Sequence, residues 1–288
     1  MTSSMRIGVI SDTHMPRRWK RLPEVIFTLF EGVDLVVHAG DVGELWVLDE
    51  LSRIAPVVAV HGNDETQAAQ KALPFLQTVV IAGRRIVITH GNLLNWELEM
   101  ARRREDNWAT KLNDVVEAAT PHGAEIAIFG HLHIPLWANY RGLWILNPGA
   151  IASGGYFHRQ ALQTVALLTL TPGQEPQAQH FNLAAPDQPF QPRSDWEAGF
   201  DSFWNECCTP IFTPEVMAQI PWMRETLLPL ILDTPVEDVV LNIMHQGWAG
   251  ERPLIDVSDV VQALRQYPDT PPAVFEVLRS SGVFGRYV

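Results

Sequence analysis

Five short blocks carry side chains of the kind that hold metal ions: Asp12-Thr13-His14, Gly40-Asp41, Gly62-Asn63, His90-Gly91 and Gly130-His131-Leu132-His133. Each follows a run of β-branched and apolar residues, at 5–10, 35–38, 57–61, 85–89 and 125–129. Such runs read as strands buried on both faces. Five consecutive strands thus deliver ligand-type residues just past the carboxyl end, the edge where open α/β sheets bind ligands. The glycines let the backbone turn tightly enough for the side chains to converge. Carboxylates and imidazoles suit first-row divalent metals, and an amide oxygen can complete a shell. Seven side chains, Asp12, His14, Asp41, Asn63, His90, His131 and His133, exceed what one tetrahedral or octahedral ion takes, so two ions are implied. Asp41 is the natural bridge, since each of its two oxygens can hold one ion.

The elements that must position these blocks alternate along the chain. Helical stretches at 23–30 and 43–52, with apolar residues at three-to-four spacing, separate the first strands. Two more, at 94–103 and 108–119, separate the fourth strand from the fifth. Further strands are expected at 143–146, 163–170 and 177–183, the last two around a Thr171-Pro172-Gly173 turn. This pattern reads as an α/β fold with layered sheets. Residues 184–193 hold three prolines and two glutamines and read as a linker. Beyond it, 195–207, 214–232, 236–245, 257–266 and 273–280 read as helices, with Pro221 and Pro229 dividing the second. The expected organisation is a catalytic domain at 1–183, a linker at 184–193 and a helical C-terminal region at 194–288 that adds no ligand. Its tryptophans, Trp196, Trp204, Trp222 and Trp248, read as core.

The blocks, in this order, resemble the calcineurin-like metallophosphoesterase superfamily, and their compact spacing resembles its small phosphodiesterase branch, over roughly residues 5 to 183. The resemblance implies a double-sheet αββα sandwich. It also implies that Asp12, His14, Asp41 and His133 hold one divalent ion, and Asp41, Asn63, His90 and His131 the other, with Mn, Fe, Zn or Ni as the metals. Asn147-Pro148-Gly149 matches a further block that closes the site. The implied activity is hydrolysis of phosphate esters, phosphodiesters foremost, by in-line attack of a metal-bridging hydroxide. The alternatives are a phosphomonoesterase and a catalytically silent, Vps29-like protein-binding scaffold. Charge supports the chemistry: two divalent ions against Asp12 and Asp41 leave the site at a formal +2, which a hydroxide and a diester monoanion neutralise. Asp41, Asn63 and Asp64 are the candidate catalytic residues. Asp64 stands where many relatives carry His, and reads either as a general acid, which nearby metals would oppose, or as a carboxylate orienting a His ligand. Ala150 stands where the small branch usually has Ser.

Composition narrows the setting. Hydrophobic residues make up 47% and charged residues 19%, the balance of a chain with a substantial core. A net charge of −12 argues against broad binding to nucleic acid or anionic membranes. No run reaches about 18 apolar residues, Met1 to Met5 lacks the layout of a signal peptide, and the adjacent Cys207 and Cys208 read as reduced thiols of a cytoplasmic protein. The expected partner is a small phosphate-ester substrate, with no nucleic acid and no membrane, and with self-association or a protein partner open to 194–288. Arg17, Arg18, Lys20 and Arg21 read as a solvated loop face, with steering of an anionic substrate the alternative. Arg159 is a further cation with phosphate pairing as its minor reading. His38 and His61 read as hydrogen-bonded around the ligand blocks or in the core, and His122, His158, His180 and His245 as surface residues.

Overall fold

Neighbouring residues on a strand point to opposite faces, and here both faces are covered. The computed structural model of the protein describes residues 4–288 apart from 233; the start of the N-terminal segment read above, residues 1–3, lies outside them. The strands run in chain order β1 (Met5–Ile10), β2 (Leu35–Ala39), β3 (Val57–Val60), β4 (Leu76–Ile81), β5 (Arg84–Thr89), β6 (Ile126–Ile128), β7 (Pro135–Tyr140), β8 (Leu143–Pro148), β9 (Thr164–Leu170) and β10 (Gln177–Asn182). They form two mixed five-stranded sheets, ordered β10-β9-β1-β2-β3 and β4-β5-β6-β8-β7. Within them β1, β2 and β3 are parallel, as are β5, β6 and β8, so their carboxyl ends lie along common edges.

Alternation along the strands builds the layers. Ile7, Val9, Val37, Ala39 and Val60 of the first sheet meet Ile86, Ile88, Ile126, Ile128 and Leu146 of the second in one buried cluster. On the outer side of the first sheet, α1 (Val25–Leu29) and α2 (Trp46–Ser52) place Ile26, Val47 and Leu51 against Val36 and Val165. A short α3 (Gln67–Ala72) follows β3. After α4 (Trp96–Arg103), α5 (Trp108–Ala119) and α6 (Phe200–Cys207) cover the outer side of the second sheet, where Trp108, Leu112, Val115, Phe200 and Phe203 pack on Val87, Ala127 and Ile145. The result is the expected αββα sandwich, with additional C-terminal helices.

Two strands of these sheets escape the sequence pattern. β4 and β7 are the two edges of the second sheet, where one flank stays open and the apolar signal weakens. Pro74 precedes one and Pro135 heads the other, and proline within a run argues for an edge. Both pair with their neighbours through tight turns, Ala82-Gly83 and Arg141-Gly142, whose central residues all have positive φ, at 50°, 81°, 53° and 86°. Alanine and arginine do not advertise that geometry as asparagine would.

The division of the chain also differs from the one expected at 183 and 194. One compact unit holds the residues up to Gly154 together with Gln160–Cys208; the other holds Gly155–Arg159 and Thr209–Val288. Residues 194–208 belong with the sheets because Phe200, Phe203 and Cys207 complete the core around Trp108. The second unit contains α7 (Pro214–Met217), α8 (Pro235–Trp248), α9 (Val257–Gln266) and α10 (Pro272–Ser280), with its own core of Phe212, Leu227, Met244, Trp248, Val261 and Leu278. Between α7 and α8, Pro221 and Pro229 break the expected helix at 214–232 into short turns. Among the described residues no helix is long and apolar enough to cross a membrane.

Candidate metal centre

The parallel strands end level, and the loops that leave them are laced together. Asp12 N–H donates to Gly40 O at 3.0 Å, His14 N–H to Asp41 O at 3.0 Å and Met15 N–H to Val42 O at 3.2 Å, joining the first two blocks. Glu65 joins the second to the third: its carboxylate accepts N–H donors from Val42 at 2.9 Å, Gly43 at 2.7 Å and Gly62 at 3.1 Å. Burial, with Asp41 nearby, pushes the Glu65 carboxyl up to about 7, and the three N–H donors pull against that. Asn147 secures the fifth block by donating from Nδ2 to Gly130 O at 2.6 Å, and Ser11 Oγ donates to Gly149 O at 2.8 Å. The Asn147-Pro148-Gly149 block is therefore a brace between loops.

Five of the candidate ligands hold left-handed backbone conformations: Asp12 at φ 54°, His14 at 46°, Asp41 at 52°, His131 at 66° and His133 at 58°. Such conformations cost on the order of 1–3 kcal/mol each in a non-glycine residue and persist where the surroundings impose them, typically at functional sites. The motif glycines serve two ends. Gly40, with φ 87°, supplies a turn, but Gly62 supplies space: a Cβ there would lie 2.1 Å from Asp41 Oδ1.

The side chains converge in two overlapping groups whose ligand atoms lie within 4.8 Å of one another, Asp12 with His14 and His133, and Asp12 with Asp41 and His90. Asp12 Oδ1 is 3.0 Å from His133 Nε2, while Asp41 Oδ2 is 3.5 Å from His14 Nε2 and 3.2 Å from His90 Nε2. Both carboxylates thus stand between the imidazoles, whereas the sequence singled out Asp41 alone. The other two candidates, Asn63 and His131, are disposed differently. Asn63 is exposed; the nearby donors, the N–H groups of Asp64 and His131, are taken by Asp41 and Asp12. His131 turns its Nε2 to Glu99 Oε1 at 2.7 Å, with its ring centroid 5.0 Å from that of His90.

The electrostatics call for cations. Burial opposes ionisation of Asp12 and Asp41, yet the histidines around them outweigh it and hold both carboxyls well below the usual range. Burial also disfavours a charged His90, but Asp41 and Asp12 bring it up to about 10, as two buried carboxylates demand positive charge. The Nε2 atoms of His14 and His90 are buried with no hydrogen-bond partner although they face Asp41. Imidazole lone pairs and carboxylate oxygens facing one another suit a shared cation, and this donor set fits divalent metal ions. His90 Nδ1 lies 2.9 Å from Ala39 O and so carries a proton, leaving Nε2 as the ligand atom.

Besides Glu65, three supporting residues were not read as such from the sequence. Glu99 is buried on α4, accepts from Leu93 N–H at 2.9 Å and Arg103 Nε at 2.7 Å, and is held well below the usual carboxylate range by these and His131 against its burial. Burial keeps His131 below its ordinary value, so the ring carries one proton, on the Nε2 that faces Glu99, and Nδ1 is left with its lone pair. Arg18, expected on a solvated face, is instead buried, donating to Ser153 O at 2.9 Å and pairing with Asp64. Trp204 on α6 lies edge-on to His133, with ring centroids 6.3 Å apart. No periodicity marks any of these in the sequence, because each acts through a residue distant along the chain.

Asp64 itself sits 3.3 Å from His14 Nδ1. Burial works against its ionisation, but His14 and Arg18 outweigh it and bring the carboxyl down to about 2. The structure thus sets an ionised carboxylate beside His14 Nδ1 and the Arg18 guanidinium. Thr13 Oγ1 and His38 Nε2 are 3.0 Å apart, and His61 Nδ1 is 2.9 Å from Gly62 O, as expected of residues around the blocks. His180, expected at the surface, is buried with Nε2 2.8 Å from Asn147 O. Arg159 donates to Thr209 Oγ1 at 3.0 Å within the second unit.

Residues 5–173 match the family model described as the calcineurin-like phosphoesterase superfamily domain. A probable metallophosphoesterase of Methanocaldococcus jannaschii is 35% identical over 147 residues, which are 51% of this chain and 68% of that protein. A phosphodiesterase of the same organism is 27% identical over 161 residues, 50% of this chain and 83% of that protein. Among solved structures, a Vps29 variant from Entamoeba histolytica aligns with a TM-score of 0.49 and 22% identity, covering 65% of this chain and all of that one.

Proposed function

Because the chain belongs to the calcineurin-like phosphoesterase superfamily, we propose that it is a hydrolase of phosphate esters, acting on phosphodiesters in preference to monoesters and using two divalent ions. The observation that carries this reading is the pair of overlapping groups of buried carboxylates and imidazoles, set at the carboxyl ends of the strands, all but His90 on left-handed backbone. In the proposal Asp12, His14, Asp41 and His133 hold one ion, and Asp41, Asn63, His90 and His131 the other. The ions would supply Lewis-acid polarisation of the phosphoryl group and acidify water into a nucleophile. The chain's own residues do the rest. Asp12 and Asp41 concentrate negative charge in a buried site, Glu99 and Asp64 orient the imidazoles of His131 and His14, and Glu65 keeps the loops in register.

The preference, for diesters with a good leaving group over alkyl monoesters, follows from Asp64. With that carboxyl ionised and paired to Arg18, no acid stands ready to protonate a poor leaving group, so esters whose leaving group departs unaided are favoured. A small substrate, a cytoplasmic setting and self-association or a protein partner through the C-terminal helices belong to the same proposal; the two thiols, Cys207 and Cys208, are free and buried, as a reducing environment would keep them. The test is hydrolysis of bis-p-nitrophenyl phosphate by the full chain loaded with Mn, Fe, Zn or Ni, alongside elemental analysis. Metal-dependent turnover with two ions per chain is expected. Two bound ions with no turnover under any metal would instead point to a scaffold.

A further inference from the structure

An arginine that spends only one of its donors within the fold keeps the rest for a ligand. Glu99 and Arg103 stand one turn apart on the same side of α4, and Glu99 shows that this side faces His131. The oxygen of Glu99 that lies 2.7 Å from His131 Nε2 also accepts Arg103 Nε at 2.7 Å, so at most twice that distance separates the two nitrogens. Arg103 is thereby fixed beside a candidate metal ligand. It is also open to solvent: its side chain is 39% exposed, against 5% for Glu99 and 11% for His131.

The donors decide what would bind. A guanidinium carries five N–H groups; Glu99 takes the one on Nε, and among the described residues Nη1 and Nη2 of Arg103 make no hydrogen bond or ion pair. These two nitrogens form the fork that matches two oxygens of an oxyanion. Arg18 and Arg102, by contrast, spend their donors on protein partners, Asp64 and Ser153 for the one, Asp114 and Glu105 for the other. The scissile group has no need of the fork, because two divalent ions set against Asp12, Asp41 and a hydroxide already neutralise a diester monoanion. A terminal phosphate, with a charge of about −2 at neutral pH and three acceptor oxygens, answers a half-exposed fork better than a carboxylate does. Resting on the hydrolase reading above, we infer that Arg103 is a specificity residue, receiving a second phosphate group carried by the organic part of the substrate.

Two diesters that share a leaving group and an organic group test this with the Mn-loaded full chain: the p-nitrophenyl ester of thymidine 5′-phosphate, and the same ester bearing a 3′-phosphate. The wild-type chain should prefer the 3′-phosphorylated ester in kcat/KM. That preference should fall about tenfold in Arg103→Met and recover in part in Arg103→Lys, which keeps the charge without the fork. Added salt should shrink it in the wild type and leave it unmoved in Arg103→Met. Taking the ratio of two esters cancels any common loss through Glu99, and metal content measured on each variant reports that loss separately. A wild-type chain without the preference overturns the inference. So does a preference that survives in Arg103→Met while both rates and metal affinity drop together, which would leave Arg103 a brace for Glu99. Should the wild-type chain hydrolyse neither ester, the hydrolase reading fails on its own, and calorimetry with thymidine 3′,5′-bisphosphate and thymidine 5′-monophosphate decides the role of Arg103. A loss in Arg103→Met about tenfold greater for the bisphosphate supports it, and equal losses or no binding overturn it.

Discussion

Glu99 controls which nitrogen of His131 carries the proton. Its ionised oxygen at 2.7 Å holds the proton on Nε2 and leaves Nδ1 as a lone pair, and partners of this kind are worth about 10–100-fold in metal affinity. Glu99→Gln should weaken Mn binding by that factor in titration calorimetry, and ¹⁵N shifts of the metal-free chain should show a mixture of His131 tautomers. Unchanged affinity with an unchanged tautomer would remove the role. The bridging carboxylate is also decidable, because the structure puts Asp12 in both groups while Asp41 faces His14 and His90. Asp41→Asn should collapse metal content and rate together. If Asp12→Asn does so and Asp41→Asn retains two ions with near wild-type activity, Asp12 is the bridge instead. For Asp64, an orienting role means that Asp64→Asn lowers monoester and diester hydrolysis alike, whereas a selective loss on poor leaving groups would restore the general acid.

At the scale of elements, β10 and β8 belong to different sheets and are linked by His180, whose Nε2 is 2.8 Å from Asn147 O. Burial pushes this imidazole down to about 4, so the folded chain keeps it neutral where the unfolded chain, at about 6.5, protonates. The unfolded state therefore binds the extra proton between these values. The stability held above pH 6.5 is lost as pH falls towards 4, by about 3 kcal/mol. His180→Gln keeps a donor for Asn147 and titrates nothing, so urea unfolding should show a shallower loss of stability over that window; equal slopes would place the titration elsewhere. The same elements show what local pattern conveys. β1, β2, β5 and β6 are covered on both faces and could be read from their apolar runs, whereas the edge strands β4 and β7 could not, being half covered and marked by proline.

At the scale of the whole molecule, the core of the sheet-bearing unit closes only with residues beyond the proline-rich segment. Trp108 is 3% exposed because Phe200 and Phe203 pack edge-on against it, with ring centroids 5.1 and 4.9 Å away. Losing aromatic packing of this kind costs roughly 3–5 kcal/mol per side chain, against a total stability on the order of 5–15 kcal/mol. Residues 1–183 alone should therefore be insoluble or molten, while residues 1–208 should fold and bind metal. Circular dichroism and elemental analysis of the two fragments check this, and a well-folded 1–183 would restore the boundary read from the sequence.

The metal-ligand blocks, their order and the layered α/β architecture were determined by the sequence, because each depends on residues near one another along the chain: an apolar run, then a ligand-type side chain beside a glycine. Tertiary structure alone decided how the ligands are grouped and supported. Glu99 reaches His131 across 32 positions, Glu65 reaches Val42 across 23, and Arg18 reaches Ser153 across 135. Such partners leave no periodic trace, since a single buried carboxylate or guanidinium looks like any charged residue until the fold brings its counterpart alongside. The boundary of the sheet-bearing unit was hidden for the same reason. Prolines at 186, 189 and 192 mark a local break in regular structure, but whether the chain beyond returns to the same core depends on a surface elsewhere, here the one around Trp108.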